Sequence, residues 1–313
     1  MELRHLRYFV AIVDAGSMAV ASRQVFVTQS TLSHQLAQLE EELGCLLFER
    51  VGRTLRLTEA GQALLGPARG ALAQVDEGRQ AVQTLAGAVS GLLRVGVIHS
   101  FVAGLMPEVV AGCLTAHPEL RVQVAELTAT EIEAQVADGL LDLGVSLYPC
   151  GRADVMGERL FEDRLMLAVH PGHRLARRKQ IRFAELADVP VAMLTPRYAT
   201  RRLLDTYFQA CGVRAKVVAE IESVAALQRL VRLGGPAAFM PARMALGTEG
   251  LHLIDLSDPP AVRAAGLVWR RSNYRSAAAV AFADQVARAI EMQPAGAGAA
   301  SAAMRATPRA HRG

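Results

Sequence analysis

The segment Thr28-Gln-Ser-Thr-Leu-Ser-His-Gln-Leu-Ala-Gln-Leu-Glu40 gathers short hydrogen-bonding side chains at a spacing suited to contacting DNA. Leu32, Leu36 and Leu39 recur at helical spacing, and Gln29, Ser30, Ser33, His34 and Gln35 lie away from that stripe. Glutamine pairs bidentately with adenine, and the first turn of a helix in a major groove meets base edges. Gln29 and Ser33 are therefore placed for bases, and Ser30, His34 and Gln35 for phosphates. An ordinary amphipathic surface helix satisfies the same short pattern, so this helix alone leaves both readings open.

Such a helix needs neighbours to aim it. Thr28 is placed as its N-cap, and Ser17 as the N-cap of a shorter helix beginning Ser17-Met-Ala-Val-Ala21, with the turn Val25-Phe-Val27 between them. Two short capped helices joined by a tight turn predict a helix-turn-helix. Gly44 is the expected C-cap of the second helix, and Leu46, Leu47 and Phe48 form an apolar plug after it. Arg50, Arg53 and Arg56 then alternate with apolar residues around Gly52, a pattern for a two-stranded wing with arginines facing a minor groove or the phosphates. A solvated hairpin, charged for solubility, fits the same residues.

Taken in order, Leu6-Arg-Tyr-Phe9, Gly16-Ser17, Gln29-Ser-Thr-Leu-Ser33, Leu39-Glu40, Leu47-Phe-Glu-Arg50 and Leu57-Thr-Glu-Ala-Gly61 resemble the N-terminal region of LysR-type transcriptional regulators. The resemblance continues to about residue 291, where it most resembles the cyanate-regulator branch. It implies a DNA-binding regulator with contacts from Gln29, Ser30, Thr31, Ser33, His34, Gln35, Arg50 and Arg53. Ala19 and Val20 depart from the family pattern, standing where many members carry polar residues.

Length and composition agree with that reading. A chain of 313 residues with 51% hydrophobic content suits two or three domains with real cores. The isoelectric point near 9.1 invites a nucleic-acid partner. Yet the first 58 residues balance Glu2, Asp14, Glu40, Glu41, Glu42 and Glu49 against Arg4, Arg7, Arg23, Arg50, Arg53 and Arg56, so phosphate binding must come from placement. No apolar run approaches the roughly 18 residues of a membrane span, and a cytoplasmic location is expected. Cys45, Cys113, Cys150 and Cys211 show no metal-site or disulfide spacing. Peroxide-sensing members of the family keep a cysteine pair in the second effector subdomain, where Cys211 stands alone.

Residues 59–89 read as a linker helix that pairs with a second copy of the chain, through Ala68, Val75, Val82 and Val89 at sevenfold spacing and Ala71, Gly78 and Leu85 offset by three. Pro67 and Gly78 are awkward inside it, and a lone helix packed on its own domain is the alternative. A dimer would set two recognition helices about one DNA turn apart.

From residue 92 apolar runs alternate with helical stretches: 92–98, 122–125, 142–146, 165–169, 189–193, 217–221, 237–240 and 266–269, which predicts an α/β architecture with largely parallel sheets. The expected whole is an N-terminal all-α winged helix-turn-helix (1–58), the linker (59–89), and a two-subdomain α/β domain (90–292). The resemblance makes this last domain periplasmic-binding-protein-like, with subdomain I at about 90–163 and 267–292 and subdomain II at about 164–266. A disordered tail, 293–313, follows.

Ligands in such folds bind at strand C-termini and helix N-termini. Ser100 and Phe101 follow the first strand, Thr128 and Thr130 the second, and Thr195 a strand of the other half, while Thr200, Arg201 and Arg202 open the next helix. Facing hydroxyls with an arginine clamp favour a small anion or carboxylate, although each hydroxyl singly also serves as a helix cap. Gly234-Gly-Pro-Ala-Ala-Phe-Met-Pro241 resembles the family's glycine-rich turn, with Pro236 replacing a common glycine, and His170-Pro-Gly-His173 reads as a turn rather than a metal site. No catalytic motif appears, and neither enzyme activity, metal nor cofactor is expected. The partners implied are double-stranded promoter DNA, a small-molecule effector and the chain itself, as a homodimer or a dimer of dimers (homotetramer), with RNA polymerase as a further candidate. A ligand-independent DNA-binding repressor and a cytosolic small-molecule-binding α/β protein are the rival readings.

Overall fold

The structure is a computed structural model that describes residues 1–51, 54–85, 89–242, 250–271 and 275–292. Helix α1, Leu3–Ala15, buries Leu6, Phe9 and Ile12 from successive turns and stops at Gly16, whose φ of +61° is a left-handed conformation glycine adopts without cost. Helix α2, Met18–Gln24, follows. Ser17 holds its N-cap position, but the hydroxyl makes no capping bond, contrary to the expected cap. Thr28 does cap α3, Gln29–Leu43, accepting the Thr31 N–H at 3.1 Å. Leu32, Leu36 and Leu39 are buried against α1, and the helix ends at Gly44.

Strands β1, Phe48–Val51, and β2, Thr54–Leu57, pair antiparallel with Phe48 opposite Leu57. The expected plug before them is only partly one, since Leu47 and Phe48 are buried and Leu46 is 65% exposed. Glu40 accounts for this by accepting the Leu47 N–H at 2.7 Å, which fixes the chain so that residue 46 faces outward. Gly52 and Arg53, the expected wing tip, and the tail from 293 lie outside the described residues.

Helix α4, Glu59–Leu85, runs unbroken through Pro67. Its first half packs Leu64, Leu65, Ala68, Ala71 and Leu72 onto the helix-turn-helix core. The expected sevenfold stripe is thus divided: Ala68 and Ala71 serve their own domain, Val75, Gly78, Arg79 and Val82 line an open groove, and Val89 packs on the next domain. Arg69 ties α4 to Asp14 of α1 at 2.5 Å.

Two half-sheets follow. The first uses β3 (Gly91–Ile98), a short helix α5 (His99–Val102), α6 (Met106–Ala116), β4 (Leu120–Leu127), α7 (Ala129–Ala137) and β5 (Leu143–Tyr148). The long strand β6, Val155–Val169, leads into the second, made of β7 (Gln180–Arg182), a 3-10 turn at Phe183–Leu186, β8 (Pro190–Met193), α8 (Ala199–Ala210), β9 (Lys216–Glu220), α9 (Val224–Arg232), β10 (Ala237–Pro241) and β11 (His252–Ser257). Strand β12, Val262–Arg270, returns to the first half, and α10, Ala277–Met292, covers it against α6.

The strand order β4-β3-β5-β12-β6-β10-β8-β9 explains how the halves join. Strand β6 pairs with β12 up to Arg164 and with β10 and β11 from Leu165 onward. The parallel pairings are β3 with β4 and β5, β8 with β9 and β10, and β7 with β11. Each antiparallel pairing of this sheet involves β6 or β12, so the sheet is more mixed than the sequence predicts. Charged residues between 158 and 164 mask the first part of β6 as a strand, because only one of its faces is buried.

Alternation along β6 divides the second half into two layers, with Leu165, Leu167 and Val169 in one core and Ala168 in the other. Phe101, Phe282 and Trp269 are buried in the first half, and the Trp269 indole N–H donates to Glu158 at 3.2 Å beneath the Arg275 guanidinium.

Gly61 is the tightest packing point of the N-terminal domain, since a Cβ there would stand 2.2 Å from the Leu47 carbonyl oxygen. Gly61→Ala is expected to destabilise that domain by about 1–3 kcal/mol, read as an earlier urea transition that leaves the C-terminal transition in place.

Candidate functional site

The N-terminal turn of α3 is an open polar surface. Gln29, Ser30, Thr31, Ser33 and His34 are exposed, while Gln35 is half-buried and donates its amide to Gln38 at 2.7 Å. The Thr28 hydroxyl lies 2.9 Å from that of Ser30 and 2.8 Å from that of Thr31, so these two hydroxyls gather on the cap and Gln29, Ser33 and His34 project beyond it. Arg50 sits opposite Leu55 in the wing, and Arg56, exposed, opposite Glu49.

The second polar cluster sits where the two half-sheets meet. Arg263 on β12 and Asp163 on β6 form an ion pair at 2.8 Å with side-chain exposures of 2% and 0%. The Arg263 Nη1 also donates to Ser100, in α5 directly after β3, and to Thr200, in the first turn of α8, both at 3.1 Å. Its guanidinium carbon lies 5.2 Å from the centre of the Phe101 ring. Three of the residues expected around an effector, Ser100, Phe101 and Thr200, therefore converge on one cation. No strand-end pattern marks that cation in the sequence, since Arg263 and Asp163 belong to the crossing strands, a hundred residues apart.

His99 and Tyr198 face each other across the same junction with ring centres 4.3 Å apart. Burial, then the charges of Arg263 and Arg197, push the His99 pKa down to about 4. Arg197, which precedes α8, reaches across to Glu131 of α7 at 3.4 Å and to Glu222 at 3.6 Å.

The remaining expected residues have other neighbours. Thr128 forms a capping box on α7, donating its hydroxyl to the Glu131 carboxylate at 2.7 Å and accepting the Glu131 N–H at 3.3 Å. The Thr128 hydroxyl and then its backbone N–H, which also donates to that carboxylate at 2.8 Å, hold the Glu131 pKa below its ordinary value, ahead of Arg197. Thr130 is exposed. Thr195 donates to Glu222 at 3.2 Å. Arg201 is turned to Asp205, Glu220 and the Leu194 carbonyl, and Arg202 to the carbonyls of Pro196 and Arg197, so neither joins the group around Arg263. In the turn after β6, His170 Nδ1 accepts from Gly172 and His173 Nδ1 from Leu175. Gly234, at φ +82°, closes α9 ahead of β10.

Two outcomes follow from this geometry. Asp163→Asn leaves a buried guanidinium without its counter-ion and is expected to cost about 3–5 kcal/mol in chemical denaturation of the effector domain. His99 stays neutral in the native state down to about pH 4, whereas the unfolded side chain takes its proton near 6.5. Stability is therefore complete above 6.5 and falls as the pH drops towards 4, and His99→Gln is expected to flatten that part of the pH–stability curve.

Comparison with known proteins agrees with both halves of the architecture. The family description "Bacterial regulatory helix-turn-helix protein, lysR family" matches residues 3–62, and "LysR substrate binding domain" matches residues 86–291. The regulator BenM of Acinetobacter baylyi is 31% identical over 83% of this chain and 85% of its own length. A probable hydrogen peroxide-inducible genes activator of Mycobacterium avium is also 31% identical, over 86% of this chain and 88% of its own. Among solved structures, full-length BenM superposes with a TM-score of 0.57 at 28% identity, covering 92% of this chain and 96% of its own. A full-length OxyR variant of Pseudomonas aeruginosa reaches a TM-score of 0.74 at 24% identity, covering 94% and 95%, a likeness of fold. No helix among the described residues is long and apolar enough to cross a membrane. These matches, lying on the surface of α3 and on the paired half-sheets alike, show that the chain belongs to the LysR family of DNA-binding transcriptional regulators with an effector-binding domain, which are regulators and not enzymes.

Proposed function

We propose that the chain docks promoter DNA with the first turn of α3 and takes a small anion, a carboxylate foremost, between its two half-sheets. Gln29 and Ser33 read base edges, while Ser30, Thr31, His34, Gln35, Arg50 and Arg53 hold the backbone. The domain division that goes with this reading is a winged helix-turn-helix at 1–58, a linker at 59–89 and an effector domain from 90 to 292. A second copy paired along the open face of α4, where Val75, Gly78 and Val82 lie, and RNA polymerase are the partners it assigns.

The observation that carries the effector half is that hydroxyls from both half-sheets, Ser100 and Thr200, share one guanidinium. A group bound beside this junction touches both halves at once, which is what lets a ligand favour one arrangement over another. The depressed His99 pKa, caused in part by Arg263 and Arg197, marks a positive local potential suited to an anion.

The test of the DNA half is a footprint of the purified protein on DNA upstream of its gene neighbours, run at two salt concentrations. Gln29→Ala is expected to cost about 1–3 kcal/mol of discrimination while leaving nonspecific, salt-dependent binding in place. An unchanged footprint would remove α3 from the interface. For the effector half, Thr200→Val is expected to abolish the change in footprint that the best of a panel of small carboxylates produces, and a full response would exclude the cluster around Arg263.

A further inference from the structure

Four arginines stand near the junction of the half-sheets, and they differ in what a ligand would have to displace. Arg263 is shut away at 2% side-chain exposure with Asp163, Ser100 and Thr200 as its partners. Arg201, at 10%, is held by Asp205 and Glu220. Arg202 donates to the carbonyls of Pro196 and Arg197. Arg197 is different in kind. It is 49% exposed, and both of its carboxylate partners are long and exposed: Glu131 at 3.4 Å and 44%, Glu222 at 3.6 Å and 57%. Exposed pairs of this sort are weak, because solvent screens them and the long side chains lose freedom to make them.

The geometry points to Arg197 as the docking point for the effector's carboxylate, with Glu131 occupying that place in the ligand-free protein and giving it up when the effector enters. This rests on the proposed anionic effector and names the residue exchange by which it binds. Glu131 is well suited to be displaced without loss of structure. One of its oxygens is committed to the Thr128 N–H, at 2.8 Å, and hydroxyl, whereas only the other faces Arg197. The carboxylate can therefore release the arginine and remain the cap of α7. An incoming carboxylate offers Arg197 a bidentate, charge-assisted pair that the distant Glu131 oxygen does not. Its immediate neighbours are aromatic: the guanidinium of Arg197 lies 5.6 Å from the centre of the Tyr198 ring, and Tyr198 in turn faces His99.

Because Glu131 belongs to the first half-sheet and Arg197 to the second, the exchange also removes a tie between them and substitutes the ligand. Glu131 then acts as an internal competitor that sets the affinity threshold for the effector.

The test is a calorimetric titration of the full chain, at constant ionic strength, with a panel of sodium benzoate, succinate and citrate and with benzamide and succinamide as uncharged counterparts. Glu131→Gln keeps a carbonyl oxygen for the Thr128 cap and removes the charge facing Arg197. It is expected to bind the preferred carboxylate about two- to fivefold more tightly than the wild type, a gain that misfolding does not produce. Arg197→Gln is expected to weaken the same carboxylate at least about tenfold. A carboxylate that binds the wild type while Glu131→Gln shows equal or weaker affinity, or while Arg197→Gln binds unchanged, overturns the exchange and leaves the anionic effector standing. Amides binding as tightly as their acids, or no binding to wild type and Glu131→Gln alike at millimolar concentrations, overturns both.

Discussion

The buried pair of Arg263 and Asp163 is the constraint around which the effector domain is arranged. Each charge alone would cost several kcal/mol to remove from water, and the pair repays this only because the remaining guanidinium protons also find partners. Two of those partners are hydroxyls contributed by opposite half-sheets. Displacing one half-sheet against the other would leave a buried donor unsatisfied, so the crossing strands hold the halves in a small number of discrete arrangements rather than a continuum. The exposed pair of Arg197 and Glu131 bridges the same halves with far less energy at stake. A strong internal tie with a weak peripheral one gives a hinge that stays assembled while its mouth changes partners.

The N-terminal region meets a different demand. Its core is small, and α4 completes it with Leu64, Leu65, Ala68, Ala71 and Leu72 before continuing beyond it. The same helix therefore finishes one domain and presents Val75, Gly78 and Val82 outside it. Arg69 anchors the shared stretch to Asp14 and comes within 3.9 Å of Asp138 at the end of α7. The helix capped by Thr128 and Glu131 at one end thus approaches α4 at its other.

Local signals carried much of this architecture into the sequence. The Leu32, Leu36, Leu39 stripe, the Thr28 cap and the left-handed glycine at 44 depend on neighbours within a few residues, and each stands where its spacing placed it. The spread of short apolar strands likewise declared an α/β domain. What stayed hidden depends on distant partners. Leu46 looked apolar enough for the core and is turned out by a carboxylate seven residues away from its neighbour Leu47. Residues 155–164 carried too many charges to read as a strand until β5, β12 and the rest of the sheet supplied a buried face. Arg201 and Arg202 had the right chemistry at the right helix terminus, but local acceptors engage them, and the residue that joins the hydroxyls comes from β12. Ser100 and Thr200, singled out by the strand-end rule together with the family resemblance, do come together on one guanidinium, because strand ends and helix starts converge where such sheets meet.

The chain holds a single tryptophan, Trp269, buried on the return strand between the Glu158 carboxylate and the Arg275 guanidinium. Indole emission shifts with the electric field and polarity at the ring, and here every photon originates on the strand that also carries Arg263. Emission excited selectively at the indole is therefore blind to contacts made by the helix-turn-helix itself, whose aromatic side chains include Tyr8 but no tryptophan, and a shift of that emission on adding an operator duplex measures what has travelled to the far domain.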